Sequence, residues 1–115
     1  MELGVETRGD ITIINIRGKL TFGDVPQFRN QVAEQMGRGK VKFIFNLSGM
    51  SFIDSAGLGA FVTLSKRIRE RKGDLKIVSP QPQVKAFLEV TGLIKIFKIY
   101  ETNEGAIESF ESEAG

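Results

Sequence analysis

The segment Met50 to Gly59, reading Met-Ser-Phe-Ile-Asp-Ser-Ala-Gly-Leu-Gly, sets one hydroxyl, Ser55, beside one carboxylate, Asp54, just before two closely spaced glycines. A lone serine in such a place can act as an acyl nucleophile, a helix cap or a phosphate acceptor. The nucleophile needs a base, and the chain has neither histidine nor cysteine. That removes Ser-His-Asp and thiol mechanisms together with disulfides and the usual zinc ligand sets. No catalytic residue is assigned, and a small hydrolase built on Ser55 is disfavoured.

Phosphate chemistry suits the position better. Beyond Ser55, Leu58, Phe61, Val62 and Ile68 recur on one face at helical spacing among Lys66, Arg67, Arg69, Glu70 and Arg71, which predicts a helix from Ala56 to about Arg71, ended by Gly73. Asp54 or Ser55 is then the N-cap. The Ser55 hydroxyl sits where unpaired backbone N–H groups and the positive end of the helix dipole favour a negative group. As a plain cap, the serine would be worth about 1 kcal/mol relative to alanine. Gly57 and Gly59 each cost about 1 kcal/mol in a helix interior and less near its end, so stability alone does not explain them. They leave the backbone bare for another protein or a nucleotide-bearing active site to approach, or let the helix pack closely on its own sheet, and the two are not exclusive.

The elements that hold this junction follow from pattern. Val41 to Leu47 reads as a mostly buried strand that Ser48 and Gly49 break. Upstream, Leu3-Val5-Thr7 and the apolar run Ile11 to Ile16 form a hairpin about Arg8-Gly9-Asp10, a tripeptide read as a turn and not as an adhesion motif. Gly18 to Gly23 is expected to be a loop, after which Asp24 and Pro26 open a helix with Val25, Phe28, Val32 and Met36 on one face. Gly37 and Gly39 end that helix. Downstream, Leu75 to Val78 is a strand, and Pro80 and Pro82 lead a short helix carrying Val84, Phe87 and Leu88 that Gly92 closes. Ile96 to Ile99 is a short last strand. A helix started by Asn103 and Glu104 buries Ile107 and Phe110, with residues 111–115 frayed.

A hairpin followed by alternating helices and strands predicts an α/β fold: one small domain over residues 1–115, with a mixed sheet of about four to five strands, about four helices and right-handed crossovers between the later, parallel strands. Ser55 then lies at the C-terminal end of a strand, the edge where open α/β sheets meet ligands and partners.

Composition narrows the function classes. The 115 residues, 41% hydrophobic and 26% charged, suit one domain with one core. No apolar run approaches a membrane span, and Met1-Glu2-Leu3-Gly4 lacks the features of a signal peptide, so a cytoplasmic protein without membrane insertion is expected. Asp10, Asp24, Asp54 and Asp74 are spread along the chain, and no cation cage is expected. Gly37-Arg38-Gly39-Lys40 lacks P-loop spacing, and Gly57-Leu58-Gly59 is followed by no third glycine, so neither nucleotide nor other cofactor is called for. All 16 Lys and Arg precede residue 101, whereas five of the 14 acids follow Tyr100. The basic run Lys66 to Lys72 includes Glu70 and no aromatic side chain for base stacking, so it reads as a solvated helix face, and no direct nucleic-acid binding is expected.

With these residues in view, the chain resembles a STAS domain of the anti-sigma factor antagonist type over nearly its whole length. The resemblance rests on Asn46-Leu47-Ser48 leading to Phe52-Ile53-Asp54-Ser55-Ala56-Gly57-Leu58-Gly59, on Gly18-Lys19-Leu20, and on Phe87-Leu88-Glu89-Val90-Thr91-Gly92-Leu93 followed by Ile96-Phe97. Thr21 and Asn46 stand where many relatives carry an acidic residue. The resemblance implies a partner-switching regulator: the unmodified protein binds an anti-sigma factor, which releases its sigma factor, and the same anti-sigma factor acts as a kinase on the motif serine, here Ser55. A phosphoserine phosphatase would reset the switch. The implied contact surface comprises Thr21, Phe22, Gly23, Asp24, Asp54, Ser55, Ala56, Gly57, Leu58 and Gly59, with Asp54 orienting either the loop or the incoming kinase. An unphosphorylated STAS docking subunit of a membrane transport or lipid-trafficking complex is the alternative the resemblance leaves open.

Overall fold

The computed structural model describes residues 1–114. β1 (Glu2–Arg8) and β2 (Ile11–Leu20) form the expected antiparallel hairpin about the Gly9-Asp10 turn. A 3-10 turn over Phe22–Asp24 runs directly into α1 (Val25–Gly37), whose first turn holds Pro26. β3 (Lys42–Asn46), β4 (Met50–Ile53), α2 (Ser55–Glu70), β5 (Asp74–Val78), α3 (Pro82–Val90), a 3-10 turn over Leu93–Lys95, β6 (Lys98–Tyr100) and α4 (Asn103–Ala114) follow. The sheet order is β1-β2-β3-β5-β6, with only β1 antiparallel to its neighbour. This is the mixed α/β sheet that the pattern predicts, with one strand more.

The additional strand is β4, and it revises the reading of Gly18 to Gly23 as a loop. β2 continues through Gly18-Lys19-Leu20 and pairs there in parallel with β4, with a register shift between Gly18 and Lys19. Gly18 takes φ +81° at that irregularity and donates its N–H to the Gly49 carbonyl at 2.9 Å. The single strand β2 thus pairs with β3 along its first half and with β4 along its second. Four-residue β4 is too short for a periodicity to declare it.

Two layers of helix cover the sheet. On one face, Phe28 of α1, Phe45 of β3 and Phe61 of α2 form a buried trio with ring centroids 5.2–5.6 Å apart, and Phe97 meets Phe61 edge-on. Phe97 precedes β6, which begins at Lys98, two residues later than the expected Ile96; Ile96 itself is exposed. On the other face, α4 lays Ala106 and Phe110 over Ile11, Ile13, Ile44 and Val78, while Ile107 is only partly buried.

α4 also changes the meaning of the charge asymmetry. Lys76 points from β5 into the α4 face with none of its surface exposed, and its ammonium donates to Glu113 Oε1 at 2.8 Å and Ser109 Oγ at 2.9 Å. It also lies 4.6 Å from the Phe110 ring centroid. Lys98 donates to the same Glu113 oxygen at 3.0 Å. The acidic tail is therefore partly spent on the basic body within the fold. These bonds also explain why residues 111–114 continue as helix where fraying is expected; Gly115 lies outside the described residues.

A buried cation stripped of its counter-charge is costly, whereas replacing it by an apolar side chain removes the desolvation penalty as well. Glu113→Ala is accordingly expected to destabilise the domain by about 1–3 kcal/mol, less than for a fully buried pair because water reaches the partly exposed Glu113, and Lys76→Met by less, measured by urea unfolding. Hydrogen bonds from Lys76 and then Lys98 hold the Glu113 carboxyl below the usual glutamate range. Its contribution is thus present above the unfolded-state pKa and lost as pH falls through the lowered folded value. Glu113→Gln should flatten the acid limb of the stability profile and leave the neutral-to-alkaline limb unchanged.

Candidate functional site

Asp54 follows β4 in extended conformation and caps α2, its Oδ1 accepting from Gly57 N–H at 2.9 Å. Of the two candidate caps, the carboxylate is the one used. Its second oxygen accepts from the Phe22 N–H at 3.0 Å, and its own N–H donates to the Leu20 carbonyl at 3.3 Å. One side chain thus fastens the start of α2 to the turn that follows β2. Of the two roles open to Asp54, orienting the loop is the one this geometry carries.

Ser55 is therefore the first residue of α2, exposed, and its hydroxyl has no hydrogen-bond partner among the described residues. Gly57 N–H is taken by the Asp54 carboxylate and Leu58 N–H by the Asp54 carbonyl at 3.0 Å. Helix geometry leaves the Ser55 and Ala56 N–H groups without intrahelical acceptors.

The facing turn is rigid and shows an apolar tip. Asp24 Oδ2 accepts from both the Thr21 N–H and the Thr21 hydroxyl at 3.0 Å, a reciprocal closure that the backbone bond from Asp24 N–H to the Thr21 carbonyl at 2.8 Å completes. The backbone bond and then the hydroxyl of Thr21 hold the Asp24 carboxyl below the ordinary aspartate range. Between them Phe22 stands 79% exposed, an expensive position for an aromatic ring in water.

The residues expected to form a contact surface divide in two. Phe22, Gly23, Ser55 and Gly59 are exposed, and Thr21, Asp24, Asp54 and Ala56 are half-buried. Gly57 and Leu58 are buried and face the sheet. A Cβ on Gly57 would lie 2.7 Å from both Ile53 Cγ1 and the Leu20 carbonyl oxygen, so this glycine serves close packing of the helix on its own sheet. Nothing lies within 4 Å of where a Gly59 Cβ would stand, which leaves its backbone open for approach.

The structure adds Phe52, Gln83, Val84 and Phe87 to the surroundings of Ser55. Phe52, Ile53, Asp54, Ser55, Gln83, Val84 and Phe87 line a groove of about 360 Å³ between β4 and α3. Phe52 is 48% exposed on its wall. Gln83 reaches across to the Ser51 carbonyl at 3.2 Å and Gln81 to the Ser48 carbonyl at 2.8 Å, fixing α3 against β4. The signal for Phe52 was its alternation with inward-facing Ile53, legible only once β4 is known to be a strand. Among the described residues no cluster of acidic side chains is arranged to hold a metal ion, and no helix is long and apolar enough to cross a membrane.

Comparison with known proteins agrees with this geometry. The STAS domain family model matches residues 2–106. The chain is 27% identical over 112 residues to the anti-sigma F factor antagonist of Paenibacillus polymyxa, covering 96% of each. It is 26% identical over 106 residues to the anti-sigma-B factor antagonist of Staphylococcus epidermidis, covering 90% of this chain and 98% of that one. Its fold superposes on the anti-sigma factor antagonist SpoIIAA in unphosphorylated form with a TM-score of 0.84 at 23% identity, covering 96% of this chain and 97% of that one. The structure of Bacillus SpoIIAA in phosphorylated form gives 0.74 at 22% identity, with coverage of 95% and 99%.

The two glycines should separate by experiment. Gly57→Ala is expected to cost about 2 kcal/mol or more in urea unfolding, since one of its two clashes is with backbone that cannot give. Gly59→Ala should leave stability unchanged or raise it by up to about 1 kcal/mol. Because Ser55 is not the cap, Ser55→Ala should fall within about 0.5 kcal/mol of the native protein.

Proposed function

The chain belongs to the STAS domain family, and we propose that it is an anti-sigma factor antagonist working by partner switching. In unmodified form it binds an anti-sigma factor and so frees a sigma factor; phosphorylation of Ser55 by the serine kinase activity of that same partner ends the complex, and a phosphoserine phosphatase restores it. The whole chain works as one non-catalytic unit in the cytoplasm. The observation that carries this reading is the unengaged, exposed Ser55 hydroxyl at the first position of α2, next to the Asp54 that binds the backbone of exposed Phe22.

The geometry makes modification compatible with folding. The Ser55 hydroxyl holds nothing together, so converting it to a phosphate ester breaks no bond, and the free N–H groups of Ser55 and Ala56 lie beside the added charge of about −1.5 to −2. What changes is the surface. Phe22, Gly23, Ser55, Ala56 and Gly59 form the part of the site a partner can touch, and Phe52 continues it along the groove; Gly57 and Leu58 support it from beneath. A partner that packs its own apolar and acidic groups against Phe22 would meet a dianion next to the Asp54 carboxylate, and both bulk and charge favour release.

Intact-mass spectrometry after incubation with ATP and a candidate anti-sigma factor kinase tests the reading. One phosphate is expected on the native protein and none on Ser55→Ala. Failure of modification by every candidate kinase, with the complex intact, would turn the reading to a constitutive docking subunit. Ser55→Asp should weaken the partner complex at least tenfold with an unchanged melting temperature, and Phe22→Ala should also weaken it severalfold, because a nearly bare aromatic ring contributes to binding and not to folding.

A further inference from the structure

β1 forms one outer edge of the sheet, and its outward N–H and C=O groups have no partner strand among the described residues. Edges of this kind are ordinarily shortened, bulged, or guarded by proline or by charged side chains, lysine above all; β1 carries charge at Glu2, Glu6 and Arg8. β6, at the opposite edge, is three residues long. β1 spans seven residues, Glu-Leu-Gly-Val-Glu-Thr-Arg, without lysine or proline, pairs with β2 without a register shift, and exposes Val5 at 40%.

One register of this edge is self-complementary in charge over the whole strand; pairing centred on Thr7 also sets Glu6 against Arg8, but over three residues only. Side chains alternate between the two faces of a strand, so two copies related by a two-fold axis through the sheet must pair residues of equal parity. Centred on Gly4, the pairing sets Glu2 against Glu6, and centred on Glu6 it sets two glutamates together on the axis. Centred on Val5, it uses all seven residues, sets Val5 against Val5, and brings Glu2 opposite Arg8 at both ends. Opposite charges directly across an antiparallel pair stabilise it, and like charges oppose it.

We propose that β1 is a self-association edge, through which a second copy of this chain adds antiparallel about an axis at Val5, with Glu2 of each copy paired to Arg8 of the other. Within one copy, among the described residues, Arg8 has only a long, exposed contact with Glu104 at 3.9 Å, and Glu6 is occupied by Asn15 at 3.0 Å. Glu2 and Arg8 are therefore the charges left for the partner. The Glu2 end of β1 lies beside Arg17 and the β2–β4 pairing, at the same end of the sheet as Ser55. Antiparallel addition sends the two Ser55 sites to opposite ends of the joined sheet, so each remains open.

Sedimentation equilibrium of the full chain from about 10 μM to about 1 mM should show a reversible monomer–dimer equilibrium. Glu2→Arg should weaken it about tenfold, and Glu2→Arg with Arg8→Glu should restore it, with unchanged circular dichroism. In the otherwise cysteine-free chain, Val5→Cys should oxidise readily to a disulfide-linked dimer. Thr7→Cys should not, because its counterpart would lie about 13 Å away along the partner strand. A monomer across the whole range, a double variant as weak as the single one, or equal cross-linking at positions 5 and 7 would each overturn the proposal.

Discussion

The two hydrogen bonds accepted by the Asp54 carboxylate hold the site together. One caps α2 at Gly57, and the other catches the Phe22 N–H on a different segment, 32 residues away in the chain. A capping serine or asparagine has one acceptor oxygen for this work; a carboxylate has two, and an uncommitted lone pair on each. With the second oxygen used on Phe22, the helix start and the turn after β2 become one rigid ledge. Ser55 is relieved of the capping role and presented with a free hydroxyl. The hydroxyl proposed to accept phosphate is available because its neighbour does the structural work.

That ledge depends in turn on the irregular end of β2. The shift at Gly18 lets one strand leave β3 and take up β4, bringing Leu20 alongside Ile53. Leu20 then supplies the carbonyl that receives Asp54 N–H and against which Gly57 packs. The absence of a side chain at Gly57 and the capping bond at its N–H are two aspects of one close approach. Beneath, the Phe28, Phe45 and Phe61 trio fixes α1 and α2 on the sheet, so the turn before α1 and the first turn of α2 keep their spacing.

The opposite face of the sheet is organised differently. There a single buried ammonium, Lys76, gathers Glu113 and Ser109 of α4 and lies against the Phe110 ring, so one helix is specified by polar bonds as well as by apolar cover. Apolar contacts alone would let α4 slide along the sheet. The fixed positions of two polar partners on α4, Ser109 and Glu113, set its register and its length, and carry the helix through residues that composition would leave loose.

Much of this was legible in the residues themselves. Alternation marked β1 and β3, and short apolar runs the first half of β2 and β5; apolar spacing marked α1, α2 and α3; and Asp54-Ser55 before an amphipathic run located the start of α2, because periodicity and capping are local properties written within a few residues. The motif around Ser55 likewise identified the family and the residue to watch. Only the tertiary structure decided which of Asp54 and Ser55 caps the helix, that Gly57 is buried while Gly59 is open, that Phe52 and Phe87 share a groove with Ser55, and that the acidic tail folds back on Lys76. Each of these depends on which distant segment arrives alongside: Phe22 beside Asp54, Leu20 beside Gly57, α3 beside β4, α4 beside β5. A periodic pattern says which face of an element is buried, but the partner it is buried against is set by the sheet order, and no local run of residues contains that order.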